Sequence, residues 1–472
     1  MNKYKRLGKN IFLLLTGNFV TKILSFLMVP FYTSILTTSD YGTADLISTT
    51  VLLVLPFFSL LMDEAVMRFA LDASKEKKQV FTIAMSVSTV GFLLAMFVSP
   101  IVLLFDSLRP YYWFVVLYYV SLWIYNIFSN YVKGLDKVSI ITIAGIIHTF
   151  FYLGINILCL AVLKWGVYGY LLSISLSNLI AAIFLFFSCK LYRCFFSIKK
   201  IDYTLVKDMV KYSVPMIPDY ISWWINNASD RYIIALFYGT SVTGIYSVAY
   251  KIPTLLNSLT SIFSSAWKIS SVDNFGSEES INFYNRIYKL YSGFLLIAAS
   301  GLILITKVLA KILFAKEFFL AWKITPILIL AYVFSAQAIF LGSIFTASKK
   351  TKTLFFSSMA GAIVNVAFNF ILIPWFEGTG AAIATTIGYF TILVMNMVLT
   401  GKILQMKFGI VKNSICWIMI VIEICAMLSD SMIGIVLAIA CILCVILLNV
   451  KEFIILAQTL LLKLKKRIKL GD

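Results

Sequence analysis

The sequence predicts an all-α integral membrane protein with about 14 transmembrane helices. Of its 472 residues, 61% are hydrophobic and 13% are charged. Apolar segments of about 20 residues, the length that crosses a bilayer as an α-helix, recur along the chain, and no soluble core has this pattern. The predicted spans cover residues 11–36, 43–67, 80–105, 112–132, 139–163, 167–189, 212–238, 242–267, 287–310, 323–347, 354–374, 380–401, 412–430 and 432–450.

The distribution of lysine and arginine predicts that both termini lie in the cytoplasm. Most of the 40 basic residues fall in the segments that share the side of the N-terminus, as the positive-inside rule requires of cytoplasmic loops. Trp113, Trp165, Trp322 and Trp375 fall at the predicted outer ends of spans, where an aromatic belt is expected. The net charge of +19 therefore reflects topology, and no nucleic-acid partner is expected.

Two six-helix lobes are predicted, arranged as parallel repeats related by an axis along the membrane normal. Gly42 precedes the polar-faced second span, and Gly244 lies at the equivalent position before the eighth. Spans 13 and 14 fall outside the repeat, so Glu423 in span 13 is expected to be peripheral to any pathway. The predicted divisions are an N-terminal lobe at 1–190, a cytoplasmic linker at 191–211, a C-terminal lobe at 212–402, spans 13 and 14 at 403–450, and a basic cytoplasmic tail at 451–472.

The tail from 463 to 469 (KLKKRIK) follows an apolar stretch and resembles an interfacial helix on an anionic leaflet. A positive-inside stop signal explains the same residues equally well.

Three cations lie within predicted spans: Lys22, Arg231 and Lys251. Charges are costly in hydrocarbon and usually mark a pathway, so these residues predict an anionic cargo. A structural ion pair is the alternative explanation.

Helical spacing places polar and aromatic residues on the same helix faces. Spans 1, 2, 7 and 8 each have such a polar face, which predicts a watery cavity that the four spans share. The candidate substrate-binding residues are Lys22, Arg231, Lys251, Asn18, Asn226, Asn227, Asn257, Tyr220, Trp223, Trp224 and Tyr250.

Three carboxylates, Asp63, Asp219 and Asp230, are candidates either for ion coupling or for holding the cations in place. Asp63 is expected on one face of a continuous second span, together with Asp45. Adjacent side chains point about 100° apart on a helix, so we expect Asp230 and Arg231 not to neutralise each other. Lys251 is the more plausible partner for Asp230.

No metal, cofactor or catalytic centre is predicted. The seven cysteines lie within spans or at cytoplasmic ends, and the pair Cys441 and Cys444 on an apolar helix is typical of packing. His148 is the single histidine. The outward loops are too short to carry an active site, so the protein is predicted not to be an enzyme. A membrane-embedded glycan enzyme is the less favoured alternative.

Four segments resemble the Wzx-type polysaccharide repeat-unit flippases of O-antigen and capsule synthesis, which belong to the multidrug/oligosaccharidyl-lipid/polysaccharide exporter superfamily. They are 22–30 (KILSFLMVP), 39–42 (SDYG) with Asp45, 215–234 with its prolines and SDRYII, and 244–251 (GIYSVAYK). The resemblance implies a multi-pass protein of the bacterial cytoplasmic (inner) membrane that acts in polysaccharide or lipopolysaccharide biosynthesis. It implies flipping of undecaprenyl-diphosphate-linked oligosaccharide from the inner to the outer leaflet by alternating access.

The implied partners are the lipid-linked oligosaccharide, membrane lipids, and a glycan polymerase with its chain-length machinery. A multidrug exporter, or an exporter of another lipid-linked precursor from the same superfamily, is the alternative.

Overall fold

The computed structural model describes residue 24 and residues 26–469, except 73, 107, 196–200, 274, 276–279 and 349. All regular structure within these residues is helical. Asn18, Lys22 and most of the first predicted span lie outside them. The α-helices are α1 Val29–Ile35, α2 Thr38–Ser59, α3 Met62–Ala70, α4 Lys77–Val98, α5 Tyr112–Gly134, α6 Val138–Asn156, α7 Gly166–Ser188, α8 Tyr192–Phe195, α9 Tyr203–Ser213, α10 Ile217–Ala249, α11 Pro253–Asp273, α12 Ser280–Leu313, α13 Thr325–Ala347, α14 Thr351–Gly401, α15 Ile410–Leu428 and α16 Met432–Lys469.

Eleven helical segments of the described chain are long and apolar enough to cross a membrane, which confirms an all-α integral membrane protein. Two of the segments are far longer than one crossing. The first contains non-helical Gly239 (φ 79°), and the second contains non-helical Glu377 (φ 51°). Both breaks fall where the sequence separates neighbouring spans, at 7/8 and 11/12. The total of fourteen spans and the cytoplasmic location of the termini remain predictions.

The second predicted span is not one continuous helix. Leu60 and Leu61 adopt left-handed backbone conformations, with φ of 51° and 49°, so α2 ends at Ser59 and α3 begins at Met62. Asp63 therefore lies on a separate short helix, and the expectation that it shares one helical face with Asp45 is wrong. Neither glycine nor proline marks this break in the sequence.

The eighth predicted span is also interrupted, between Ala249 at the end of α10 and Pro253 at the start of α11. Proline has no backbone N–H and disfavours the helical conformation of the residue before it. The predicted continuous polar face from Ser247 onward is therefore divided between two helices, and Lys251 lies in the break.

The chain falls into two compact units, and each unit contains part of α10. As far as its residues are described, unit 1 comprises Met1–Trp224 and Tyr238–Ser247. Its core is a cluster of side chains from α2 to α9. Phe81 is fully buried there, with ring centroids 5.6 Å from Phe128 and 4.8 Å from Tyr131.

The predicted cytoplasmic linker contains a helix, α9, at its C-terminal end. Asp202 caps it, because its carboxylate accepts hydrogen bonds from the backbone amides of Thr204 and Leu205 at 2.9 and 3.3 Å. Tyr212, at its other end, packs edge-on against Phe69 of α3 with centroids 5.9 Å apart. The described part of the linker therefore belongs to unit 1, and α9 is fixed by a polar contact at one end and an aromatic contact at the other.

Unit 2 comprises Ile225–Phe237 and the described residues from Val248 onward. Its centre is aromatic: the rings of Trp267 and Phe340 stack at 4.3 Å, and those of Phe263 and Tyr291 also stack at 4.3 Å. The Trp267 indole N–H donates to the Phe340 carbonyl at 3.1 Å, which orients α11 against α13.

The tryptophan side chains only partly follow the predicted aromatic belt. Trp113, Trp165 and Trp375 are exposed, as side chains at a membrane interface should be. Trp322 is buried, and the ammonium of Lys307 lies 5.0 Å from its ring centre. Trp322 therefore packs inside unit 2 and does not contribute to a belt.

Candidate functional site

Unit 2 contains a charged cluster in the middle of its first helical segment. Asp230 is 1% exposed and Arg231 is 9% exposed. The guanidinium carbon of Arg231 lies 4.8 Å from the centre of the Tyr250 ring, a cation–π distance. The Tyr250 hydroxyl donates to Asp230 Oδ2 at 3.0 Å. One tyrosine thus contacts both members of a buried charge pair.

The expectation that Asp230 and Arg231 do not neutralise each other is wrong. Arg231 Nη1 lies 3.6 Å from Asp230 Oδ1, and Arg231 also donates to the carbonyl of Asn227 one turn earlier. The arginine side chain is long and flexible enough to fold back along its own helix, so it overcomes the angular separation of adjacent positions. A buried charge is stable only when it is paired in this way.

Helices α13 and α14 complete this cluster with residues that sequence reasoning missed. Thr385 donates to Asp230 Oδ2 at 3.3 Å, and Tyr389 donates to Asn227 Oδ1 at 2.9 Å. The Tyr332 and Tyr250 rings pack edge-on at 6.3 Å. Periodicity groups residues only within one helix, so a partner contributed by a distant helix gives no signal of this kind.

An amide chain extends the cluster along α14. Asn369 donates to Asn365 Oδ1 at 3.1 Å, and Asn365 donates to Thr385 Oγ1 at 3.3 Å. Ser229 donates to the same Asn365 oxygen at 3.4 Å. Three α14 side chains and the α10 segment of unit 2 are therefore joined in one buried hydrogen-bond network.

The helix break at 250–252 places Lys251 beside this network. Non-helical backbone at membrane depth is tolerated only where it is buried in protein or lines a water-filled cavity. The Thr325 hydroxyl donates to the Ala249 carbonyl at 3.2 Å and so satisfies one acceptor freed by the break. Discontinuous helices of this kind commonly form the binding sites of transporters.

The remaining predicted amides of unit 2 occupy different environments. Asn226 is buried and donates to the Ser358 carbonyl at 3.2 Å, an interhelical hydrogen bond. Asn257, on α11, is exposed. The structure thus gives Asn226 a packing role and leaves Asn257 accessible.

The predicted residues Asp219, Tyr220, Trp223 and Trp224 belong to unit 1. The Trp224 indole N–H donates to the Thr49 carbonyl at 2.9 Å, so this tryptophan fastens α10 to α2. Trp223 is exposed, with its ring centre 5.9 Å from that of half-buried Tyr220. Asp219 is exposed as well.

The start of α2 crosses the last part of α10 at two glycines within unit 1. A Cβ on Gly42 would lie 1.9 Å from the Thr240 carbonyl oxygen, and a Cβ on Gly244 would lie 1.9 Å from that of Thr38. Only glycine allows this approach. The hydroxyls of Thr38 and Ser241 are 2.6 Å apart at the same crossing.

The α2 carboxylate Asp45 accepts a hydrogen bond from Ser247 at 2.6 Å in unit 1. Asp63 on α3 accepts from the Asn130 amide at 3.4 Å, and Asn130 accepts in turn from the Lys133 ammonium at 3.0 Å. Asp63 is therefore held by α5, while Asp230 is held within unit 2.

Within the described residues, no three or more His, Cys, Asp or Glu side chains are grouped to hold a metal ion. His148 stacks on Tyr125 at 5.6 Å and lies 6.2 Å from Tyr152, so its surroundings are those of a packed aromatic side chain. All seven cysteines are free thiols.

A family model described as "Polysaccharide biosynthesis protein" matches residues 7–267, more than half of the chain. The chain belongs to this family. No curated protein sequence matches it. The family match confirms the resemblance drawn from the segments in spans 1, 2, 7 and 8.

Solved structures with the same fold are transporters. The chain is similar to the lipid II flippase MurJ in its inward closed conformation, with 14% identity, a TM-score of 0.72, and coverage of 95% of this chain and 99% of that chain. It is also similar to MATE in the straight conformation, with 14% identity, a TM-score of 0.58 and coverage of 84% and 95%.

A third similar structure is a MOP superfamily transporter from Pyrococcus furiosus, with 11% identity, a TM-score of 0.58 and coverage of 84% and 94%. Identities this low show the fold alone. These matches show that a chain of the polysaccharide biosynthesis family has the fold of the flippase MurJ and of MATE.

Proposed function

We propose that this protein flips undecaprenyl-diphosphate-linked oligosaccharide repeat units from the inner to the outer leaflet of the bacterial inner membrane by alternating access. The observation that carries the proposal is the Asp230, Arg231 and Tyr250 cluster, which lies beside a broken helix inside a member of the polysaccharide biosynthesis family. Buried charges next to irregular backbone at membrane depth are characteristic of transport pathways.

The headgroup of such a substrate combines a diphosphate with several sugars. Cations neutralise the phosphates, amides and hydroxyls bind the sugar hydroxyls, and aromatic faces cover the sugar rings. Arg231 in span 7 and Lys251 in span 8 are the cations proposed to contact the phosphates. Asp230 pairs with Arg231, and we assign phosphate contacts to both Arg231 and Lys251.

Sugar contacts are proposed for Asn227, Asn257, Trp223, Tyr220 and Tyr250, with Tyr389 added from the structure. Asn257 and Trp223 are exposed, so a ligand can reach them. Trp224 and Asn226 act in this proposal through packing, because each donates a hydrogen bond to the backbone of another helix. Lys22 and Asn18 keep the roles that the sequence predicts, as further phosphate and sugar contacts.

The membrane potential assists transport in this proposal. With the interior negative, each anionic charge that moves outward gains about 2.3 kcal/mol per 100 mV. The lipid tail stays in the bilayer while the headgroup crosses. A glycan polymerase and chain-length machinery then receive the flipped units as partners.

A multidrug exporter is the second candidate, because MATE structures share the fold. A cationic drug requires an anionic site. Asp230, the buried carboxylate of the cluster, is paired with Arg231, which favours an anionic cargo over a cationic one.

Deleting the gene in its host tests the proposed function. We expect the deletion to abolish the surface glycan and to cause the lipid-linked oligosaccharide to accumulate. Expression of the wild-type chain should restore the surface glycan, whereas Lys251→Ala at equal abundance should not. Unchanged surface glycan combined with sensitivity to cationic drugs would instead support the exporter. The flanking genes identify the sugar, since glycosyltransferases accompany the units that they build.

A further inference from the structure

Two polar contacts join α12 to α15 and to the turn that follows it, and a third joins α15 to α16, all within unit 2. At one end, the Lys307 ammonium pairs with Asp430. In the middle, Ser300 Oγ donates to Glu423 Oε2 at 2.5 Å. At the other end, Asn449 contacts Gly293 and donates to Cys416 Sγ at 3.5 Å; the Asn449 Oδ1 atom lies 3.0 Å from where a Gly293 Cβ would be.

The residues involved are spaced seven apart, at 293, 300 and 307 on α12 and at 416, 423 and 430 on α15 and the turn after it. Seven residues are two helical turns, or about 10 Å, so the contacts follow one seam. The regular spacing makes Glu423 the central member of a polar seam and separates it from the Lys307 and Asp430 pair by two turns.

Glu423 is the member of the seam that forms no ion pair among the described residues. The residue is 0% exposed, and its Oε1 is buried without a hydrogen-bond partner among the described residues. Ser300 is a neutral donor. An ionised carboxylate buried without a positive partner is strongly unfavourable, whereas a protonated carboxyl is neutral and can still accept from Ser300.

The other titratable groups that the structure describes near the seam include no cation at the level of Glu423. Cys441 of α16 interacts electrostatically with Glu423, and a thiol adds no positive charge. From α13, Phe334 packs edge-on against Trp417, and Tyr332, the titratable residue of that helix, packs against Tyr250. Lys307 is occupied by Asp430 at the end of the seam.

We propose that Glu423 is a membrane-embedded proton-binding site, whose neutral form fastens the C-terminal helix pair to α12. The ligand is a single proton taken from solvent. A metal cation does not fit, because the oxygen atoms gathered here come from Glu423 and Ser300 alone among the described side chains in hydrogen-bond contact. Loss of the proton leaves a buried negative charge and loosens the seam.

Infrared spectroscopy of the purified full-length protein tests the proton directly. At neutral pH, the difference spectrum between wild type and Glu423→Gln is expected to contain a carboxylic acid carbonyl band and no carboxylate band. Asp430→Asn is the matched control, because Asp430 is paired with Lys307 and should contribute a carboxylate band. If Glu423→Gln does not fold, Ser300→Ala serves, since removal of the hydroxyl donor should shift the frequency of the same carboxylic band.

Thermal unfolding of the same variants tests the link to the helix pair. An unfolded glutamate loses its proton at about pH 4.3, so a site that is neutral when folded makes wild type lose stability relative to Glu423→Gln as the pH rises above that value. Asp430→Asn should not show this relative change. A carboxylate band for Glu423 at neutral pH, or a stability difference between wild type and Glu423→Gln that is independent of pH, would overturn the proposal.

Discussion

Arg231 lies over the ring of Tyr250, with its guanidinium carbon 4.8 Å from the ring centre, while the hydroxyl of the same tyrosine binds Asp230. The tyrosine therefore supports the ion pair in two ways. Tyr250→Phe retains the ring under Arg231 and removes one hydrogen bond, for which we expect a loss of about 1 kcal/mol in unfolding free energy. Tyr250→Ala also removes the cation–π contact and should cost about 2 kcal/mol more. Thermal unfolding in detergent measures both; equal losses would contradict the double role.

Because Asp230 and Arg231 form an ion pair, the losses of stability caused by substituting each of them should not add in the double variant. Asp230→Asn leaves a buried cation without its carboxylate and should cost about 3–5 kcal/mol. The double variant Asp230→Asn with Arg231→Gln should recover much of this loss, because no charge remains unpaired. Unfolding of the two single variants and the double variant measures the coupling.

The same substitution separates a structural from an ion-coupling role for Asp230. We expect Asp230→Asn to lower stability and leave the pH dependence of flipping unchanged in reconstituted vesicles. If the variant folds with full stability and no longer responds to an imposed pH gradient, Asp230 carries a coupling proton and the structural assignment is wrong.

The break before Pro253 predicts that the backbone around Lys251 is part of the site. Pro253→Ala removes the residue that prevents the helix from continuing, so we expect unchanged or higher stability together with slower flipping. Lys251→Ala should abolish flipping at normal abundance, and Lys251→Arg should be milder. Lys268→Ala is the matched control, since Lys268 is an exposed lysine of α11. Wild-type flipping by Lys251→Ala would remove this residue from the mechanism.

The close crossing of α2 and α10 near Gly42 and Gly244 predicts that an engineered disulfide can join the two helices. The Thr38 and Ser241 hydroxyls are 2.6 Å apart, so cysteines at both positions should form a disulfide under mild oxidation. If transport requires these segments to separate, the disulfide stops flipping and a reductant restores it. The seven native cysteines are replaced first, and each single cysteine variant serves as a control. Full flipping by the oxidised pair would show that the crossing stays closed throughout the cycle.

The sequence predicts much of this fold because apolar length and charge distribution are local properties. Two helix breaks occur at residues that explain them: glycine at position 239, and proline at position 253. The break at Leu60 and Leu61 could not be predicted, since two apolar residues with ordinary helix propensity adopt left-handed conformations there. Their conformation depends on tertiary packing and not on local preference.

The candidate site was predictable on α10 and much less so beyond it. Arg231 and Tyr250 stand out as polar residues within apolar segments, whereas Thr385 and Tyr389 are recognisable only through the residues they bind. The ion pair of adjacent residues was mispredicted, because side-chain length outweighs the angular separation on a helix. Its span predicts that Glu423 is peripheral, whereas its burial without an ion-pair partner among the described residues is visible only in three dimensions.

Leaflet transfer in vesicles that contain only the purified protein and an undecaprenyl-diphosphate-linked oligosaccharide tests most directly whether the protein flips this lipid. The headgroup is loaded on one leaflet, and its exposure on the other is followed with a membrane-impermeant glycosidase, while mass spectrometry records the intact lipid. We expect protein-dependent exposure that is lost in Lys251→Ala and retained in Lys268→Ala, with the mass of the lipid-linked oligosaccharide unchanged before digestion. Exposure no faster than in protein-free vesicles, or a change in that mass, would contradict the proposed flipping.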